Sequence, residues 1–185
     1  MRFQVSDTPL SGVLCIERSS VGDARGFLSR MFCAHELLAV GWHWPVAQIN
    51  HTCTEKSGTI RGMHFQQPPN SEAKLVSCIK GSAWDVAVDL RHGSPTFLHW
   101  TAQILSAENK RALLIPPGCA HGFQSLEDAT ELLYCHSHGY APEADAGLNP
   151  LDPTLAIVWP KPITLLSDKD RQRPLLQKTY QGLIP

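Results

Sequence analysis

The chain has 185 residues, with 16 basic and 17 acidic side chains interspersed to a formal net charge of −1. That balance lacks the basic excess that draws a phosphate backbone or an anionic membrane surface, so nucleic acid and membrane are set aside as partners. The length fits a single domain over residues 1–185, large enough to bury roughly 70% of the surface its unfolded form exposes.

No apolar run approaches the roughly 18 to 20 residues that span a bilayer, and the amino terminus lacks the basic, apolar, small-residue order of a signal peptide. A cytoplasmic protein is expected. Cys15, Cys33, Cys53, Cys78, Cys119 and Cys135 are scattered without a CxxC pair, so they read as reduced packing residues rather than a zinc site or a disulfide framework.

In chain order, a strand is predicted over 11–18 and a helix from Ala34 to Val40, ended by Gly41. Strands over 46–54, 58–66 and 73–80 follow. Trp84, Val86, Val88 and Leu90 then alternate with Asp85, Ala87, Asp89 and Arg91, the period of a strand. Further strands are predicted over 97–105, 111–115, 120–125 and 129–138, separated by turns such as Arg91-His92-Gly93-Ser94-Pro95 and Pro116-Pro117-Gly118. Short strands at this spacing indicate an all-β sandwich or barrel. Pro142, Pro150, Pro153, Pro160, Pro162, Pro174 and Pro185 rule out long regular elements in the tail, which is expected to wrap the barrel with short helical turns.

Two strands carry unusual polar faces. Gln48, Asn50, Thr52 and Thr54 recur at every second position, and if both segments are strands they share one face of the first while Gly62, His64 and Gln66 share one face of the second. Amides, hydroxyls and an imidazole resemble the lining of a pocket more than the solvated side of a strand. His64 and His121 are therefore the histidines to weigh. His136 and His138 stand two apart, as metal-binding jelly rolls arrange their ligands, but surface or packing histidines explain them as well, and no carboxylate lies near His64 or His121 in the sequence. Metal-free acid/base chemistry is the other option. A neutral imidazole takes a proton near pH 7, and Tyr134 is a candidate phenol to return one. Lys74, inside an apolar strand, is either an edge-strand charge or a cation facing an anionic intermediate.

These motifs resemble the dTDP-4-dehydrorhamnose 3,5-epimerases of nucleotide-sugar biosynthesis. The likeness runs from Asp23-Ala24-Arg25-Gly26 through Arg61-Gly62-Met63-His64-Phe65-Gln66, Lys74-Leu75-Val76, the 81–97 segment and Ile115-Pro116-Pro117-Gly118-Cys119-Ala120-His121-Gly122-Phe123 to Leu166-Ser167-Asp168-Lys169-Asp170. The resemblance implies a metal-free cupin-type jelly roll without cofactor. It also implies a homodimer with shared active sites and a nucleotide-diphosphate 4-keto-6-deoxysugar as substrate. Its ketone makes the hydrogens at C3 and C5 acidic, and each centre is inverted by removing a proton from one face and returning one to the other.

By matching positions, the resemblance makes His64 the base, Asp170 its orienting carboxylate, Tyr134 the acid on the opposite face and Lys74 the partner of the enolate oxygen. Arg61, His121, Gln48 and Asn50 match sugar or phosphate contacts, and Tyr140, Asp145 and Lys169 match further substrate positions. Arg25 matches a nucleotide contact made across the dimer interface, where a guanidinium suits a diphosphate. One departure concerns the nucleotide side: Leu28 and Arg30 stand where an aromatic residue and a glutamate are usual. Arg30 keeps a sister activity open, either inversion of one centre only or action on another nucleotide sugar such as a CDP-linked one. A binding module without turnover and a metal-dependent cupin are the remaining contenders.

Overall fold

The computed structural model describes residues 2–185. Two antiparallel sheets face each other. The first holds, in spatial order, β1 (Phe3–Asp7), β2 (Leu14–Arg18), β10 (Arg111–Ile115), β7 (Lys74–Lys80), β12 (Thr130–His136) and β5 (Gln48–Thr54). The second holds β13 (Asp145–Gly147), β6 (Thr59–Gln66), β11 (Cys119–Ser125), β8 (Ser82–Asp89) and β9 (Trp100–Ser106), with β14 (Leu165–Leu166) beside β6 in parallel. A separate two-stranded ribbon joins β3 (Ser20–Asp23) to β4 (Gly26–Ser29), and a one-turn helix α1 (Ala34–Leu38) follows. The architecture is a cupin-type jelly roll.

Between the sheets lies a core of Val76, Leu113, Ala87, Phe123, Leu132 and their neighbours. Two outer layers close the backs. Leu37 and Trp42 cover Leu75, Leu114 and Ile16 on the first sheet, while Trp159, Leu176 and Tyr180 from the tail pack near Val86, Val88 and Leu90 on the second. Both faces of β8 are consequently buried. The polar series Asp85, Ala87 and Asp89 is not its solvent side, and both carboxylates are fully enclosed.

Several boundaries differ from the sequence reading. The strand predicted over 11–18 starts at Leu14 because Gly12, at φ +73°, closes a turn in which the Val13 N–H meets Leu10 O at 3.2 Å. The strand predicted from 97 starts at Trp100, since Leu98 takes a positive φ of 61° and bonds back to Asp89 O at 2.8 Å. β1 was not anticipated; its Phe3-Gln4-Val5-Ser6-Asp7 run has a single buried apolar residue. The tail does wrap in short turns, and its last helix, α2 (Asp168–Arg171), follows directly on β14. Pairing of β14 with the start of β6 thus presses α2 against that strand.

Candidate active site

The facing sheets leave a cavity of about 510 Å³. Gln48, Asn50 and Thr52 line it from β5, as their period of two predicts, and the buried Thr54 accepts a hydrogen bond from Arg61 Nε at 3.1 Å. The Cys53 carbonyl holds the same guanidinium at 3.3 Å. Gln48 is braced in turn, donating to Asn50 Oδ1 at 3.0 Å and accepting the Tyr140 N–H at 2.9 Å.

β6 does not keep a simple alternation. Arg61 pairs with Phe123 and His64 with His121, so Gly62 and Met63 stand opposite Gly122 alone, a β-bulge. The phase slips by one residue there. Arg61 and His64, three positions apart, both line the cavity, whereas Gly62 does not and only His64 and Gln66 of the predicted face do. Glycine is needed on both sides of the bulge: a Cβ on Gly62 would lie 2.6 Å from Gly122 Cα, and one on Gly122 would lie 2.6 Å from Met63 Sδ.

α2 supplies the carboxylate that local sequence did not. His64 Nε2 lies 2.6 Å from Asp170 Oδ1, and the Gly62 N–H reaches Asp170 Oδ2 at 3.5 Å. Ser167, the N-cap of α2, accepts the Asp170 N–H at 3.1 Å and fixes the turn. Burial opposes ionisation of Asp170, but the bonds from His64, Ser167 and Gly62 outweigh it and hold the carboxyl below its ordinary value. A carboxylate only accepts, so His64 Nε2 carries the proton and its lone pair sits on Nδ1.

Lys74 opens β7 and is buried, so the edge-charge reading is excluded. Its ammonium pairs with Glu72 Oε1 at 3.0 Å and donates to the His64 carbonyl at 3.0 Å. Tyr134 is also buried, with His121 edge-on at a centroid distance of 5.8 Å and His136 stacked at 6.0 Å. Burial, with the Asp85 carboxylate adding to it, pushes the phenol above its ordinary range, so it holds its proton. His121 has a carboxylate of its own, contrary to the sequence reading: Asp85 Oδ2 lies 2.9 Å from His121 Nε2, both residues buried. The source is the neighbouring strand, where Asp85 sits diagonally from His121.

At the cavity mouth Asp145 on β13 accepts from Lys169 at 2.7 Å and from Arg173 at 2.9 Å. Glu72, Asp85 and Arg173 were not singled out from the sequence, and His136 appeared there only as half of a metal or surface pair. His136 and His138 both line the cavity, His138 with its Nδ1 2.8 Å from the Gly139 carbonyl. Among the described residues no group of three or more His, Cys, Asp or Glu side chains could hold a metal ion. Arg25 and Arg30 are absent from the cavity lining. The exposed Arg25 pairs with Asp23 at 2.5 Å on the β3–β4 ribbon, and Arg30 pairs with Glu36 of α1.

Residues 7–178 match the family model described as dTDP-4-dehydrorhamnose 3,5-epimerase. The chain belongs to that family. A dTDP-4-dehydrorhamnose 3,5-epimerase of Streptomyces griseus is 40% identical over 96% of this chain and 90% of its own. The crystal structure of the Legionella pneumophila dTDP-6-deoxy-D-glucose-3,5-epimerase, in complex with dTDP-4-keto-L-rhamnose, superposes with a TM-score of 0.88. It is 38% identical over 94% of this chain and 92% of that one. A dTDP-4-dehydro-6-deoxyglucose 3-epimerase from a Streptomyces species is also similar, 43% identical over 78% of this chain and 74% of its own. This family member is thus an isomerase of the nucleotide-sugar epimerase class. No helix among its described residues is long and apolar enough to cross a membrane.

Proposed function

We propose that the protein inverts C3 and C5 of dTDP-4-keto-6-deoxy-D-glucose through an enolate, without calling on a metal. The observation that carries this reading is the 2.6 Å His64–Asp170 pair in one cavity with Lys74 and Tyr134. His64 Nδ1 takes the proton from the carbon beside the ketone, and the electron pair of the broken C–H bond moves onto the C4 oxygen. Lys74 meets the charge that develops there, in a buried site where a fixed cation acts strongly. Tyr134 delivers its proton from the opposite face, forming a new C–H bond of inverted configuration. The imidazolium and phenolate then return to their starting states through water. Asp170 holds the tautomer and stabilises the imidazolium.

Arg61, Lys169 and Arg173 surround the mouth with positive charge, which suits the diphosphate. In this reading the protein is a homodimer, and Arg25 of the partner subunit reaches the nucleotide from the β3–β4 ribbon, whose Phe27 is 68% exposed in the single chain. The six free cysteines fit a cytoplasmic setting. Incubation with dTDP-4-keto-6-deoxyglucose and analysis of product ring couplings by NMR tests the proposal: inversion at both carbons supports it.

A further inference from the structure

The cavity wall holds polar atoms that nothing in the chain satisfies. His136 Nε2 and Glu72 Oε2 are both buried without a hydrogen-bond partner. Such an atom is costly to leave unpaired, and two of them on cavity-lining residues that share a neighbour mark where a ligand's polar group belongs. Both flank Lys74. His136 is its register partner across β12 and β7, and Glu72 is its ion-pair partner at 3.0 Å.

We propose that Glu72, Lys74 and His136 form a clasp for the keto-alcohol edge of the hexose, Lys74 taking the C4 oxygen while Glu72 and His136 share the C3 hydroxyl. The inference rests on the substrate class assigned above and adds the orientation of the sugar in the cavity. A carboxylate oxygen only accepts and an imidazole N–H donates, so one hydroxyl, which does both, completes the two orphaned atoms at once. A methyl group completes neither. On a 4-keto-6-deoxyhexose the ketone has a hydroxyl-bearing carbon on one side and, on the other, C5 with its methyl. The C3 side therefore turns toward Glu72 and His136, and the C5 side turns away. Burial and the neighbouring Lys74 charge push His136 down to about 4, so its ring is neutral at physiological pH, as the shared hydrogen bond requires.

H136F keeps a flat ring against Tyr134 and removes only the hydrogen-bonding nitrogens. The experiment compares solvent exchange at C5 for dTDP-4-keto-6-deoxyglucose and its 3-deoxy analogue, in wild type and H136F, with dTDP affinity measured alongside. Wild type is expected to lose ~10-fold or more in kcat/KM on the 3-deoxy analogue, and H136F, which keeps only the Glu72 bond to the hydroxyl, to lose at least about threefold less. Both proteins should bind dTDP equally, because the clasp touches only the sugar. An H136F that discriminates as wild type does overturns the clasp. Should H136F fail to bind dTDP, E72Q carries the same comparison. A wild type that binds the parent sugar without exchanging its protons overturns the epimerase reading instead; the ratio of the two ketosugar affinities then decides the clasp.

Discussion

Asp170 accepts a hydrogen bond from His64 at 2.6 Å although 106 residues separate them in the chain. The contact depends on β14, two residues long, which runs beside β6 and delivers α2 to the middle of that strand. One short parallel pairing thus fixes which ring nitrogen of His64 faces a carboxylate. D170N is expected to keep the fold and lower kcat ~10³-fold with little change in KM, since an amide can hold the wrong ring nitrogen and cannot stabilise an imidazolium. Steady-state kinetics with unchanged kcat would remove Asp170 from the mechanism.

In the proposed mechanism Lys74 has two separable jobs. K74M leaves Glu72 charged, buried and unpaired, so it should destabilise the protein by about 3 kcal/mol as well as lower kcat ~10²- to 10³-fold. Adding E72Q should restore most of the denaturation midpoint and none of the rate. Recovery of activity in the double variant would show that Lys74 acts through folding alone.

Tyr134 keeps its proton because it is buried beside Asp85. Phenolate absorbance is therefore expected to rise identically in wild type and Y134F up to about pH 11, beyond the ordinary tyrosine range. In turnover, Y134F should slow inversion much more than solvent exchange, because His64 still removes a proton and returns one to the same face. Equal loss of both would refute that division of labour.

Asp89 is a stability group, remote from the cavity. It accepts two bonds from the Arg91 guanidinium, at 2.8 and 2.7 Å, one from the Arg91 N–H at 3.0 Å, and the hydroxyls of Ser94 and Thr96. Burial raises its pKa, but these bonds overcome that and hold it at about 2, against an ordinary 3.8. A depressed carboxyl contributes stability above its unfolded value and loses it as pH falls through the folded one. D89N should thus cost about 2 kcal/mol near neutral pH, with the gap to wild type closing between roughly pH 4 and pH 2. Urea midpoints at several pH values measure it; a gap independent of pH would contradict the assignment.

Much of this arrangement was legible in the sequence, for identifiable reasons. Gln48, Asn50 and Thr52 declare an inward polar face by period alone, and Arg61, His64 and Lys74 stand in contiguous motifs. What stayed hidden depends on long-range geometry. The bulge at Gly62 and Met63 swaps Arg61 for Gly62 on the cavity wall, and strand alternation has no way to report it. Asp85 looks like the outer side of an amphipathic strand until the tail covers the opposite face. His136 and His138 suggested a metal pair or surface or packing histidines because spacing ignores burial; both line the cavity, His136 half-buried against Tyr134 and His138 exposed beyond the end of β12.

The proposed mechanism turns on His64 taking a ketone-activated proton. The most direct measurement follows the C3 and C5 hydrogens of dTDP-4-keto-6-deoxyglucose by proton NMR in deuterated buffer, with wild type and H64A side by side. Both signals are expected to be lost with wild type and neither with H64A, while H64A still binds dTDP. Exchange that persists in H64A, or its absence in wild type, would contradict it.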